Sequence, residues 1–174
     1  MFIFFKDISL ARVVSVLLFS LCAGCATRND VPKVNLAPVV AARIFSEDTL
    51  AARLLNEDQR QWFVGAAYFI SRNGRAFTDN DQLFEFLEND LGRPVKLKKS
   101  APVQEVTPGT FAMTLGSGDI VNISVSGSRI TLICATPEIT NAVVQSMITV
   151  SGANAPESNA AGFGWAHALT HIFR

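Results

Sequence analysis

Two histidines, two aspartates, one cysteine and one glycine-rich turn are the residues of this chain whose types and spacing raise a question of chemistry. His167 and His171 stand four apart, the spacing that sets two imidazoles on one helix face and lets them share a metal ion. A catalytic zinc site usually needs a third protein ligand. No other histidine exists and the carboxylates fall in unrelated segments, so a wet polar stripe accounts better for the pair. Asp79 and Asp81 have the opening spacing of a calcium loop, but the glycine and glutamate that complete such a loop do not follow in place. A solvated helix face explains them. Cys134 lies in the apolar run Ile130-Thr131-Leu132-Ile133-Cys134-Ala135 and reads as a small buried residue rather than a nucleophile. Gly116-Ser117-Gly118 joins two strand-like runs, whereas a phosphate loop delivers its ligand to a helix N-terminus.

These readings weigh against an enzyme. The chain has no serine elbow, no histidine outside its last segment and no paired His/Glu motif of a metalloprotease. Hydrolysis by paired carboxylates stays open, because Asp and Glu from distant segments can meet. Most of the acids, however, sit at helix starts and on polar faces, where local structure explains them. No catalytic, cofactor-binding or metal site is assigned, and no cofactor is expected.

The elements that would position any site are legible to different degrees. Residues 26–45 are polar, contain Pro32 and Pro38 and show no period, as a flexible tether would. Ser46 is expected to cap a helix with Glu47 and Asp48 in its first turn and with Leu50, Ala51 and Leu54 buried. Asn56 and Gln59 form a capping box for a second helix. The run 62–70 is apolar on every side. Either a buried helix or an internal strand fits, and Ala66, Ala67 and the stop at Asn73-Gly74 favour helix. Asp79 opens the clearest helix, with Leu83, Phe84, Leu87 and Leu91 on one face, ended by Gly92 and Pro94. From Val95 the period becomes two. Four strands are expected at 95–98, 111–115, 121–125 and 129–135, joined by turns at Thr107-Pro108-Gly109, Gly116-Ser117-Gly118-Asp119 and Gly127-Ser128. Thr136-Pro137-Glu138 starts a helix whose Ile139, Val143, Met147 and Val150 should lie across that sheet. Small polar residues over 151–162 read as a loop. The fold class is therefore α+β: N-terminal helices, a four-stranded antiparallel meander, a covering helix and a short C-terminal helix.

The first residues carry an address. An apolar run over 13–21 follows Lys6 and Arg12 and ends at Leu21-Cys22-Ala23-Gly24-Cys25, the layout of an export signal. Ala23-Gly24-Cys25, followed by Ala26-Thr27, resembles the lipobox of bacterial lipoproteins, where a peptidase cuts before the cysteine. Cys22 departs from the aliphatic residue usual three positions before the acceptor, but is small and apolar enough for a shallow apolar pocket. The resemblance covers about the first 27 residues. It implies that Cys25 carries a diacylglycerol and a third acyl chain, and that Ala26, in place of Asp, directs the protein to the outer membrane facing the periplasm. Secretion to the periplasm after cleavage at Ala26 is one alternative. An uncleaved anchor is another, although the run falls short of the roughly 20 residues a span needs.

On that reading the chain divides into a signal at 1–24, a tether at 25–45 and one α+β domain at 46–174. The full chain has 15 basic and 15 acidic side chains; loss of Lys6, Arg12 and Asp7 leaves 13 and 14. A charge near zero gives no reason to expect nucleic acid as a partner. With Cys25 acylated, Cys134 has no intramolecular disulfide partner. The expected function is that of a membrane-anchored envelope lipoprotein whose periplasmic domain binds a protein partner in an accessory or assembly role. An inhibitor or immunity protein is the alternative within the same class, and an envelope hydrolase the one outside it. Trp165, Leu169, Ile172 and Phe173 fall on one face of a C-terminal helix, opposite His167, Thr170, His171 and Arg174. That apolar face either closes the domain's own core or docks into a partner.

Overall fold

The computed structural model describes residues 31–134, 136–152, Leu169 and Phe173. These belong to one compact unit, Val31–Arg174. In chain order it runs β1 (Lys33–Leu36), α1 (Pro38–Ser46), α2 (Leu50–Arg53), α3 (Glu57–Asn73), α4 (Asn80–Leu91), a 3-10 turn (Lys96–Lys99), β2 (Gln104–Thr107), β3 (Thr110–Thr114), β4 (Ile120–Ser126), β5 (Arg129–Cys134) and α5 (Pro137–Gly152). The strands make one antiparallel sheet in the order β1-β5-β4-β3-β2. The class is α+β, with five strands among the described residues rather than four.

The added strand comes from the stretch expected to be a tether. Val34 and Leu36 pair with Leu132 and Ile130 and point into the core, while Lys33 and Asn35 stay exposed. Both prolines that suggested a linker occupy positions where proline is compatible with structure. Pro32 precedes the strand, and Pro38 is the first residue of α1, where a missing N–H costs nothing. Among the described residues, regular structure is therefore present from Lys33, ahead of the expected start at Ser46. Ser46 ends α1 rather than capping a helix, and Thr49 takes the capping role, accepting from Ala52 N and donating to Ile44 O. Leu50, expected in the core, is 52% exposed, while Ala51 is buried.

The segment 95–98 is a second correction. Lys96–Lys99 forms a 3-10 turn, not a strand. Val95 and Leu97 are buried as the alternation predicts, but Glu88 accepts from Val95 N and Lys98 Nζ and draws the segment onto α4, away from any strand partner. The first strand of the meander is Gln104–Thr107 instead, bulged between Glu105 and Thr107. The turn after it is where expected. Gly109 there has φ 72°, and a Cβ would come within 3.0 Å of the Val125 carbonyl, so the position suits glycine.

The run 62–70 is helix, because helices and sheet surround it. Within α3, Phe45 of α1 stacks on Phe63 and Phe111 of β3 meets Trp62 edge-on. Leu87 of α4 approaches Gly65 so closely that a Cβ would lie 2.9 Å from its Cδ1. The capping box of Asn56 and Gln59 opens this helix and Gly74 closes it in the left-handed conformation. Asp79 likewise caps α4 by accepting from Gln82 N.

One buried polar side chain ties these elements together. Asn80 accepts from Trp62 Nε1 at 2.8 Å and donates through Nδ2 to the Val103 carbonyl at 2.8 Å, while its own N–H donates to the Glu105 carboxylate. Glu105 thereby satisfies an orphan donor at the positive end of α4. Asn80→Ala should strand the indole N–H and the Val103 carbonyl in the core. We expect a loss of about 2–4 kcal/mol, read from the urea midpoint of the full chain.

The inner sheet face is apolar: Val34, Leu36, Phe111, Met113, Val121, Ile123, Val125, Ile130, Leu132 and Cys134 are all buried. α3 lies over it, and α5 packs on α1, α2, β1 and β5. So α5 covers the β5 side of the sheet and leans on two helices, instead of spanning the sheet alone. Ser146 of α5 is buried because its hydroxyl accepts from Ala51 N, a tie between α5 and α2.

Candidate functional site

The structure puts the residues singled out from the sequence in different places. Cys25, Trp165, Ile172, His167 and His171 lie outside the described residues. Leu169 and Phe173 are buried, 3% and 9% exposed. The Phe173 ring sits over Gly65, 3.6 Å from where a Cβ would be, and borders a cleft with Leu91, Pro94 and Val95. Those two side chains belong to the domain's own core and present no surface for a partner. Cys134 is fully buried on the inner face of β5, and burial pushes its thiol above the ordinary value, which suits an inert core residue. Asp79 and Asp81 sit at the start of α4, Asp79 as its cap and Asp81 exposed. Among the described residues no group of three or more His, Cys, Asp or Glu side chains could hold a metal, and no helix is long and apolar enough to cross a membrane.

Three arrangements could recognise something. The first is the outer face of the sheet, where the described residues carry no helix. Two rows of side chains cross it: Lys33, Ile133, Asn122, Ala112 and Gln104, and beside them Asn35, Thr131, Ser124 and Thr110. The rows are polar but almost uncharged, with Thr131 donating to Asn35 Oδ1 at 2.7 Å and Ile120 51% exposed nearby on β4. Alternation along β1, β4 and β5 predicts this face once the register is known.

The second is Tyr68 of α3, whose hydroxyl donates to the Asp90 carboxylate at the end of α4. Burial, the hydrogen bond and the charge of Asp90, in that order, push the phenol up to about 12. An unfolded phenol titrates near 10, so its proton is held more tightly in the folded state. The stabilisation is complete below about pH 10 and disappears as pH rises through about 12. Tyr68 is the only tyrosine, so phenolate absorbance of the full chain reports it alone. We expect a midpoint near 12 that falls in Asp90→Asn; a wild-type midpoint at the ordinary value would show the pair to be open in solution.

The third is a cleft of about 290 Å³ lined by Asp48, Ala52, Arg53, Leu55 and Arg60, where α2 meets the start of α3. Arg53 grips Asp48 through Nε and Nη2, at 3.0 and 3.1 Å. That contact holds the Asp48 carboxyl below its usual value. Arg60 Nη2 donates to Glu57 at 2.6 Å, but Arg60 Nε is buried with no hydrogen-bond partner. Neither arginine was conspicuous in the sequence, because the partners of a guanidinium are set by the fold. Compared with protein-family models, curated proteins and solved structures, this chain matches none.

Proposed function

We propose that this chain is a lipid-anchored envelope lipoprotein whose α+β domain binds a protein partner through the outer face of its sheet. The observation that carries the reading is the sheet: the described helices lie on one face, and the other offers rows of mostly uncharged side chains, with Lys33 at one edge, near Ile120 and Ile133. Interface centres are depleted in charge, and a face built on hydrogen-bonded strands needs little reorganisation to dock. The lipobox resemblance at Cys25 supplies the address. Seven residues, 26–32, separate Cys25 from β1. An extended chain spans at most about 3.6 Å per residue, so a domain acylated at Cys25 reaches only partners close to the bilayer. Acyl chains contribute about 0.8 kcal/mol per buried CH₂, and two or more give stable anchoring.

Photo-crosslinking residues at Asn35, Asn122 and Ser124, with Gln145 on α5 as the control, test the binding face in whole cells. The same adduct from the sheet positions and none from Gln145 is expected; no adduct from any sheet position, or one from Gln145 alone, sinks the proposal. Intact mass tests the anchor. Acylated protein beginning at Cys25 is expected, Cys25→Ser should accumulate as unlipidated precursor, and a soluble mature chain beginning at Thr27 would show ordinary secretion.

A further inference from the structure

We infer that the end of the sheet at which the chain enters β1 rests on the lipid bilayer, with Val31, Ile120 and Ile133 at the headgroup boundary, an orientation that rests on the acylated-anchor reading and adds to it. The strand register brings these three residues together. Lys33 stands opposite Ile133, and Ile133 opposite Asn122. One position nearer the end, Cys134 pairs with Val121, and its N–H donates to the Pro32 carbonyl at 3.1 Å. Val31 and Ile120 are the next residues outward on either side of β5, two strand spacings or about 10 Å apart. Val31 is 47% and Ile120 51% exposed, and Ile133 lies half-buried on the outer face between them.

The occupant of this rim follows from where the preceding chain ends. Five residues, 26–30, separate Cys25 from Val31, so at about 3.6 Å per residue the rim stays within roughly 20 Å of the acylated residue. Two or three aliphatic side chains could not hold a free protein on a membrane. An anchored rim meets the bilayer as an intramolecular contact, for which little affinity is enough. Lys33 is exposed in the same rim, and a lysine stem can lie along apolar groups while its ammonium reaches a headgroup phosphate. Asp119, the acid of the adjoining β3–β4 turn, accepts from Ser117 Oγ at 2.7 Å. The rim therefore carries one charge of each sign, and its aliphatic groups make the contact. Seated this way, the domain keeps the row of Asn35, Thr131, Ser124 and Thr110 above the bilayer and open to a protein partner.

The test follows the isoleucine methyl signals of the acylated chain in nanodiscs of phosphatidylethanolamine and phosphatidylglycerol, with and without a lipid bearing a headgroup nitroxide. Ile148 is the internal control: it is 65% exposed, more than Ile120, and lies about 16 Å along α5 from its first residue. The nitroxide should broaden Ile120 and Ile133 about threefold more than Ile148, as for side chains at the headgroup boundary. Ile120→Asp changes an exposed side chain, so the core signals of Ile44 and Ile130 should stay in place while the broadening of Ile133 falls to the level of Ile148. Equal broadening at Ile148, none at Ile120, or an unchanged Ile133 in the variant would overturn this orientation. So would broadening that needs no nitroxide and grows with the number of chains per disc, the mark of a second copy. Intact mass separates the two readings. A chain without acyl groups sinks the anchor and the orientation together, whereas an acylated chain with an unbroadened Ile120 sinks the orientation alone.

Discussion

Val143→Asp should cost the domain roughly 3–5 kcal/mol, enough to unfold much of the population of a protein of ordinary stability. Val143 is 3% exposed and faces an apolar void of about 20 Å³, bordered by Phe45, Leu54, Phe63, Leu132 and Ile139. Among the described residues no basic side chain borders that void, so a carboxylate there is desolvated without compensation. Its pKa must rise, and the sign follows. The defect is greatest at neutral pH, where the unfolded chain carries the charge freely, and shrinks as pH falls and the group is neutral in both states. Urea denaturation of the full chain at neutral and acidic pH measures both effects. A midpoint equal to wild type would mean that α5 does not pack as described.

Removal of residues 160–174 is the second large effect, on the order of 5 kcal/mol. The segment includes Leu169 and Phe173, which the domain buries, with Phe173 N donating to the Leu169 carbonyl at 2.9 Å. Their loss would uncover Gly65 and Leu91 and leave the groove between α3 and α4 without its cover. We expect a lower melting temperature and increased binding of a hydrophobic dye, with Phe173→Ala alone giving about 3 kcal/mol of the loss. A truncated chain that melts like wild type but fails to cross-link to its partner would restore the docking role for this segment.

Both effects concern residues whose apolar pattern was visible beforehand, and the contrast with the rest of the chain is physical. Asn56 with Gln59, Asp79 with Gln82, Gly74 and Gly92 form caps within a few residues of one another, so α4 could be read directly and the ends of α3 with it, while its apolar middle fitted a strand as well. Alternation over 110–134 and Pro137 at a helix start are equally local, and β3, β4, β5 and α5 followed. β1 was not legible. Four of the five residues between two prolines become a strand only because Leu132 and Ile130, nearly a hundred positions away, pair with them. The turn at Lys96–Lys99 has the alternation of a strand, but Glu88 and α4 take it before any strand does.

The same division holds for function. Ala23-Gly24-Cys25 after a short apolar run is a linear signal, so the expected anchor needs no fold to be read. The sequence by itself determined the α+β class, the caps of α3 and α4 and three of the five strands, because hydrogen bonds and side-chain periods act over a few residues. Tertiary structure alone decided which sheet face the described helices leave uncovered and where Asn80 finds its partners. Each of these depends on groups brought together from segments far apart in the chain, and no local pattern encodes them.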